Sequence, residues 1–252
     1  MALRQRLLNN EVLYGTLMSM ASVEAVEMTV KLGYDWLFID AEHGALGPNE
    51  VFRLIQAAGD CPCLVRVPGF DEGFIKKTLD AGAAGIIVPQ VESLAEAQDI
   101  VRVSKYPPQG QRGVGLGRAH DYGLSFQDYL ARANDETIIV IQAESRDAIG
   151  NIDAMASCEG VDAVLIGPYD LSASLGQVGD FENPEFIDAI EQITEACMDH
   201  DKVLGIFGVS AEDVAPYKEQ GFSLLTVGVD SLFLQQASAA ALETLKNAES
   251  LG

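Results

Sequence analysis

The chain has 252 residues, 48% of them hydrophobic, and a formal net charge of -22 at pH 7. This composition predicts a well-packed globular protein and excludes a disordered or fibrous one. The negative charge is spread along the chain and works against binding to nucleic acid or anionic membranes. A site for an anionic substrate would therefore need its own local cation, either an arginine or a metal ion.

Eight short apolar runs rich in β-branched residues alternate with longer segments of helical period, which is the pattern of repeated βα units around a parallel sheet. Four joints between a helix and the next strand contain a glycine that can end the helix, in LGYDW, AGAAG, CEGVDA and EQGFS. No linker divides the chain, so we predict one α/β domain over residues 1–252, a (β/α)8 TIM barrel rather than a doubly wound open sheet. The predicted strands cover residues 13–18, 35–40, 62–67, 84–88, 137–142, 161–166, 203–207 and 223–228.

Cysteine usage and hydropathy indicate the compartment. The four cysteines, Cys61, Cys63, Cys158 and Cys197, contain no CxxC pair, which favours buried thiols over a metal or redox site. No segment approaches the roughly 20 apolar residues of a membrane span, and the N-terminal residues lack the apolar stretch of a signal peptide. We therefore expect a cytoplasmic protein.

Barrel enzymes carry their chemistry at the C-terminal ends of the strands. The polar residues predicted at that rim are Asp40, Glu42 and His43 after the second strand, Arg66 in the third, Gln142 and Glu144 in the fifth, and Asp170 after the sixth.

Two of these carboxylates, Glu144 and Asp170, suggest a metal site. The side chains of Gln142 and Glu144 point into the barrel because residues alternate along a strand. Pro168 suits the first turn of a helix, which places Asp170 near free backbone amides. Two carboxylates and water favour Mg²⁺ or Mn²⁺, with Co²⁺ a further option, over zinc or copper. An ion of this kind, bound by the carboxylate and keto oxygens of a 2-oxo acid, stabilises an enolate.

Arg66 is the local cation that an anionic substrate requires, and we expect it beside the developing enolate. The alternative is a structural salt bridge. His43 is a candidate acid/base group, against the alternative of a solvated or structural turn histidine. Glu42 and Trp36 are assigned to packing or orientation.

Other chemistry is disfavoured. The segment RGVGLGRAH lacks the last glycine of GxGxxG and follows YPP rather than a strand, so no organic cofactor is predicted. We expect it to form a flexible rim loop in which Arg112, Arg118 and His120 either contact the substrate or are structural. A Schiff-base mechanism needs a lysine at the rim, whereas Lys202 precedes its strand and belongs to the opposite face.

The segments GYDWLFIDAEHG, LVRVPG, YPPQGQRGVG, IQAES and GVDAVLIGPYDLSASLG together resemble the HpcH/HpaI aldolase family over nearly the whole chain. Within that family the chain resembles the 4-hydroxy-2-oxoheptanedioate and 2-dehydro-3-deoxyglucarate aldolases. The resemblance implies a metal-dependent barrel that reversibly cleaves 4-hydroxy-2-oxo acids to pyruvate and an aldehyde. It also implies a homo-oligomer, a trimer or hexamer in which the last helix packs on a neighbour.

The resemblance further implies metal ligation by Glu144 and Asp170. It implies substrate contacts by Gln142, by the backbone at Tyr169 and by Asp170, and charge stabilisation by Arg66. Tyr169 stands where a small residue is usual in the family. We expect its side chain to narrow the pocket beside the carboxylate of the 2-oxo acid.

For the acid/base step, the resemblance implies that His43 acts and that Asp80 raises its basicity, with Asp40 as a competing partner. Two alternatives stay open at this point. One is a citrate-lyase-like enzyme that cleaves acyl-CoA thioesters, which is disfavoured because few basic residues are available for nucleotide phosphates. The other is a non-catalytic barrel that binds a metabolite.

Overall fold

The computed structural model describes residues 1–249, and its eight parallel strands form a closed barrel in sequential order. The predicted (β/α)8 fold is therefore confirmed. Each observed strand agrees with its predicted range to within two residues at either end. The strands are β1 (Leu13–Met18), β2 (Trp36–Asp40), β3 (Cys63–Arg66), β4 (Gly85–Val88), β5 (Ile138–Ala143), β6 (Ala163–Ile166), β7 (Val203–Gly208) and β8 (Leu224–Val229).

Helices connect each strand to the next and surround the barrel, with one further helix before the first strand and one after the last. They are α1 (Leu3–Leu8), α2 (Val23–Val30), α3 (Pro48–Ala58), α4 (Glu72–Asp80), α5 (Leu94–Ser104), α6 (Phe126–Glu136), α7 (Arg146–Gly150), α8 (Ile152–Ala156), α9 (Pro168–Ser174), α10 (Pro184–Asp199), α11 (Ala211–Glu219) and α12 (Asp230–Glu249). A short 3₁₀ segment, Arg118–Gly123, precedes α6.

The four glycine joints end their helices as predicted. Gly33, Gly82, Gly160 and Gly221 have φ values of 91°, 97°, 95° and 92°. A side chain at such a φ is strained, so glycine is the residue that lets the chain leave the helix and enter the next strand.

Alternation along the strands separates two apolar layers. Inward side chains such as Leu64, Val140 and Leu165 fill the barrel interior. Outward side chains such as Ile139 and Ile166 pack against the helices. Among the residues of the eight strands, the charged side chains are Asp40 and Arg66, which point inward at the C-terminal ends of β2 and β3, and Gln142 points inward near the end of β5.

Within residues 1–249, no helix is both long and apolar enough to cross a membrane. All four cysteines are free thiols, and Cys63, Cys158 and Cys197 are buried while Cys61 is half-buried. Burial raises the pKa of each thiol, which makes them inert side chains of the core.

Candidate active site

An ion pair between Arg66 and Asp40 occupies the C-terminal mouth of the barrel. The two residues are register partners on the neighbouring strands β2 and β3, so both side chains point inward. Arg66 Nε donates to Asp40 Oδ1 at 2.9 Å and Nη2 donates to Oδ2 at 2.8 Å. Asp40 Oδ1 also accepts the backbone N–H groups of Glu42 and His43. The bidentate pair fixes the plane of the guanidinium.

Glu42, which the sequence assigned to packing or orientation, belongs to the same cluster. Its Oε2 lies 3.2 Å from Arg66 Nε. Burial raises the pKa of Glu42, and the charges of Arg66 and His43 oppose that shift. The available sequence signal was its place two residues after Asp40, at the end of a strand.

The Nη1 group of Arg66, which does not bond to Asp40, points toward Gln142 on β5. The distance from Nη1 to Gln142 Oε1 is 3.4 Å, a long contact that leaves this nitrogen available to a substrate oxygen. Burial acts to lower the pKa of Arg66, but the hydrogen bond to Asp40 and the charges of Asp40, Glu42 and Glu144 raise it on balance. Arg66 therefore stays charged at the rim.

Glu144 is a buried carboxylate held in one orientation. Gln142 Nε2 donates to its Oε2 at 2.7 Å, and the backbone N–H of Gln90 donates to its Oε1 at 2.8 Å. Gln90, which the sequence did not indicate, lies two residues after β4 and adopts a φ of 55°. A Cβ at Gly167 would lie 2.6 Å from Oε2, so only glycine leaves room for the carboxylate there.

The raised pKa of Glu144 indicates that its carboxylate lacks a neighbouring positive charge sufficient to offset its burial. Burial raises the pKa of Glu144 to about 7, and the charges of Asp170 and Glu42 add to the shift while the Gln90 N–H and Arg66 oppose it. A nearby positive ion would favour the charged form.

Asp170 lies in the first turn of α9, which begins at Pro168. Asp170 is exposed and lines an open cavity of about 280 Å³ together with Gln90, Glu92, Glu144 and Ser145. The structure thus brings the two predicted metal ligands, Glu144 and Asp170, to one cavity.

The ring of Tyr169 packs edge-on against Phe181, with 5.1 Å between ring centroids. Phe181 in turn packs on the layer between sheet and helices. The side chain at this position is therefore supported from outside the barrel, while its backbone lies in the first turn of α9 next to Asp170.

The chemistry of the cluster fits a hard divalent cation. At the C-terminal mouth, the carboxylates of Asp40 and Glu42 contact the guanidinium of Arg66, while those of Glu144 and Asp170 line the adjacent cavity. Residues 1–249 contain no group of three or more His, Cys, Asp or Glu side chains arranged to hold an ion. Mg²⁺ needs only one or two protein carboxylates, because water and substrate oxygens supply the rest.

His43 and Asp80 do not meet within one chain. The His43 side chain is 65% exposed at the C-terminal rim, and its Nε2 lies 3.8 Å from Glu42 Oε2. Asp80 is the last residue of α4, the helix that returns the chain to the start of β4. In a parallel barrel that helix end lies at the N-terminal face, opposite the rim.

The loop that contains Arg112 and Arg118 also lies at the N-terminal face, so the expected position at the rim of the same chain is wrong. Arg112 Nη2 donates to Asp80 Oδ1 at 2.6 Å, and its guanidinium lies 4.6 Å from the Tyr106 ring centroid. Arg118 Nη1 donates to the Ala81 carbonyl oxygen at 3.1 Å. These contacts pack the loop on the end of α4.

His120 is buried in the same loop. It makes an edge-on contact with the ring of Phe126, and its Nδ1 accepts the backbone N–H of Gly123. Its position is that of a structural histidine, one of the two alternatives open from the sequence.

Residues 13–237 match the model of a family described as HpcH/HpaI aldolase/citrate lyase. The chain is 36% identical over 242 residues to a hydroxypyruvate/pyruvate aldolase of Chromohalobacter salexigens, covering 94% of each chain. It is 37% identical over 230 residues to a 4-hydroxy-2-oxo-heptane-1,7-dioate aldolase of Escherichia coli, covering 90% of this chain and 87% of the relative.

A solved structure shares the whole architecture. It is a HpcH/HpaI aldolase/citrate lyase family protein from Burkholderia cenocepacia, which superimposes with a TM-score of 0.92 at 34% identity. The match covers 97% of this chain and 98% of the other. The similarity therefore includes every strand that contributes to the rim.

Proposed function

Because the chain belongs to the HpcH/HpaI aldolase/citrate lyase family and is a carbon–carbon lyase of the aldehyde-lyase type, we propose that it is a class II pyruvate aldolase. Its substrate is a 4-hydroxy-2-oxo acid, such as 4-hydroxy-2-oxoheptanedioate or a 2-keto-3-deoxy sugar acid. The products are pyruvate and an aldehyde. The proposal rests above all on one observation, the buried Glu144 carboxylate beside Asp170 and Arg66.

In this proposal Glu144 and Asp170 hold a divalent ion, Mg²⁺ or Mn²⁺ with Co²⁺ as a further option. When bound, such an ion supplies a Lewis acid for the carboxylate and keto oxygens of the 2-oxo acid. Gln142 fixes the orientation of Glu144 through its 2.7 Å hydrogen bond. The backbone N–H of Tyr169, in the first turn of α9, donates to the substrate carboxylate.

Arg66 stabilises the charge that develops when the C3–C4 bond breaks. The electron pair of that bond moves onto the three-carbon fragment and gives the enolate of pyruvate. Arg66 Nη1, which makes only a 3.4 Å contact with Gln142, donates to the enolate oxygen. Asp40 holds the guanidinium in place, so no reorientation is needed as the charge appears.

His43 is the proposed acid/base group. It accepts the proton of the C4 hydroxyl as the aldehyde carbonyl forms, and in the reverse direction it returns that proton to the new alkoxide. Its 65% exposure allows exchange with solvent between turnovers. Protonation of the enolate at C3 then gives pyruvate.

The proposed effect of Asp80 on the basicity of His43 requires a second copy of the chain, because the two residues lie at opposite faces of one barrel. We propose a homo-oligomer, a trimer or hexamer, in which α12 packs on a neighbour. The exposed side chains Leu234, Leu242 and Leu245 on α12 support this arrangement, since burial of apolar surface drives association.

The negative charge of the cavity beside Glu144 disfavours an acyl-CoA substrate. The cavity beside Glu144 is lined by Gln90, Glu92, Glu144, Ser145 and Asp170. These residues offer no positive charge for the phosphates of CoA, whose binding would add like charges to an acidic rim.

Hydrogen exchange at pyruvate tests the proposal without knowledge of the aldehyde. The protein is incubated with pyruvate and Mg²⁺ in deuterated water, and the methyl protons are followed by NMR. We expect the methyl signal to decay, because reversible enolate formation replaces each proton with deuterium. Chelation should stop the exchange, and added Mg²⁺ should restore it.

A Glu144→Gln variant is the matched control, since it keeps the shape of the side chain and removes its charge. Exchange that continues at the wild-type rate in this variant, or in the presence of chelator, would contradict the metal assignment. A wild-type protein that gives no exchange above the rate of pyruvate and Mg²⁺ alone would contradict the aldolase assignment itself.

A further inference from the structure

A phenylalanine lies directly beneath the catalytic guanidinium. Phe38 precedes Asp40 by two residues on β2, so both side chains point into the barrel. The Arg66 Cζ atom lies over the Phe38 ring, 5.3 Å from its centroid. Phe38 is 1% exposed, so this contact occurs out of reach of water, where a cation–π interaction is strongest.

The Phe38 ring is itself supported from below. Trp36 stacks on it with 6.0 Å between ring centroids and 25° between planes. Trp36 is fully buried, and a Cβ at Gly15 on the neighbouring strand would lie 2.4 Å from its ring. The absence of a side chain at Gly15 therefore leaves space for the Trp36 ring, which stacks on Phe38 from the side away from the rim.

Asp40 and Phe38 constrain different movements of Arg66. The bidentate hydrogen bonds to Asp40 fix the edge of the guanidinium and its direction within the plane. They leave a hinge motion about that edge, in which Nη1 would swing toward the barrel interior. The ring of Phe38 blocks that motion because it lies on the interior side.

From this geometry we infer that Phe38 is a positioning residue of the proposed aldolase reaction. Its ring holds the Arg66 guanidinium in the position from which Nη1 donates to the enolate oxygen. The inference rests on the proposed function for its kinetic consequence, whereas the contact between ring and guanidinium is independent of it.

The kinetic test uses Phe38→Leu, which keeps an apolar side chain and removes the ring. We expect the rate constant of pyruvate exchange at saturating pyruvate to fall about tenfold, which is the factor given by ~1.4 kcal/mol. The KM for pyruvate should change less than the rate constant, because the enolate charge that Arg66 stabilises develops after binding.

Phe222→Leu is the matched control for lost core volume. Phe222 is a buried phenylalanine two residues before the start of β8, so it lies at the end of the barrel opposite the rim. Both variants should lose stability in urea, but only Phe38→Leu should lose exchange activity. Equal losses of activity in the two variants would reduce the role of Phe38 to general packing.

A double-mutant cycle with Arg66→Lys shows whether Phe38 acts through the guanidinium. Lysine lacks the flat face that stacks on a ring. In the Arg66→Lys background, Phe38→Leu should cause little further loss of exchange. Fully additive effects would show that the two residues act independently and would overturn the inference.

A measurement on the metal-free protein separates this inference from the proposed function. The Nε–H signal of Arg66, assigned by its loss in Arg66→Lys, should carry a ring-current shift that disappears in Phe38→Leu. An unchanged signal in Phe38→Leu would overturn the positioning role whatever the enzyme does. Absence of pyruvate exchange in the wild type, with the ring-current shift present, would instead overturn the proposed reaction.

Discussion

At the scale of single residues, Arg66 shows how a salt bridge and a catalytic role coexist. Its side chain is 10% exposed and that of Asp40 is 4% exposed. A buried pair of this kind contributes little to stability, because desolvation of both charges offsets their attraction. Its value lies in the orientation it imposes on a cation that meets the substrate.

Substitution of Arg66 should therefore lower the rate of aldol cleavage. We expect Arg66→Ala to slow aldol cleavage about 100-fold or more, by analogy with the loss of an oxyanion donor. The same change leaves the buried Asp40 carboxylate unpaired, so it should also destabilise the fold by about 3 kcal/mol. The two effects are measured by steady-state kinetics and by urea denaturation.

Arg66→Lys distinguishes charge from geometry. It keeps a cation near Asp40 and should retain most of the stability, but it loses the bidentate geometry. Turnover of Arg66→Lys close to that of the wild type would remove Arg66 from the mechanism.

Glu144 gives a pH dependence of stability with a definite sign. Burial raises its pKa from 4.5 to about 7 in the folded protein, so between these values the native state binds more protons than the unfolded state. Stability of the metal-free protein should then fall as pH rises from about 4.5 to about 7. The contribution of this one group is on the order of 3 kcal/mol.

Other groups titrate in the same range, so the measurement compares urea denaturation of the wild type and Glu144→Gln in chelator at pH 5 and pH 8. The difference in stability between the two pH values should be smaller in Glu144→Gln. An identical pH dependence in both proteins would contradict the elevated pKa.

At the scale of elements, the first residue of α12 is hydrogen-bonded to the segment that follows β1. This residue, Asp230, accepts the backbone N–H groups of Ser19 and Met20 as well as the Ser19 hydroxyl. Ser19 follows β1, so one carboxylate closes the seam between β8 and β1 on the side of the rim.

We expect Asp230→Ala to destabilise the protein by about 2–4 kcal/mol, because it removes the charged acceptor of three part-buried hydrogen bonds. Urea denaturation measures the loss. Asp230→Asn keeps one acceptor oxygen and should lose less. Equal stability of Asp230→Ala and the wild type would show that the seam is held by strand pairing alone.

At the scale of the whole molecule, the separation of His43 from Asp80 leads to a prediction about assembly. If Asp80 acts on the His43 of another copy, then His43→Ala and Asp80→Asn each impair every site of their own oligomer. A mixture of the two variants, dissociated and reassembled, forms some interfaces at which wild-type His43 meets wild-type Asp80. Such mixed oligomers should recover part of the activity.

The matched control mixes His43→Ala with Arg66→Ala. Both residues lie at the same rim of one chain, so the mixture supplies no site with both groups intact and should stay inactive. Recovery limited to the first mixture supports a shared site. No recovery in the first mixture, with oligomers confirmed by light scattering, would contradict the proposed effect of Asp80.

Much of the fold and part of the site could be predicted from local pattern. Period-two strands, period-3.6 helices and helix-ending glycines such as Gly33 and Gly160 are properties of a few consecutive residues, so they set the order and bounds of the eight units. Placing Arg66, Gln142 and Glu144 at one rim needed only the rule that parallel strands end at the same face.

The contacts that decide chemistry could not be predicted in the same way. The contact of Glu42 with Arg66, the Gln90 amide on Glu144 and the Phe38 ring beneath Arg66 each join residues that are far apart in the sequence. Their geometry depends on barrel closure and side-chain packing.

The sequence by itself determined the barrel and most of the polar side chains at the mouth, because these depend on alternation and spacing along the chain, and the resemblance of its motifs indicated the family. Only the tertiary structure decided which of those side chains touch, that Asp80 and its loop lie at the far face, and that burial gives Glu144 a pKa of about 7. The physical reason is that distance and desolvation depend on neighbours in space, which closure of the barrel selects from distant parts of the chain.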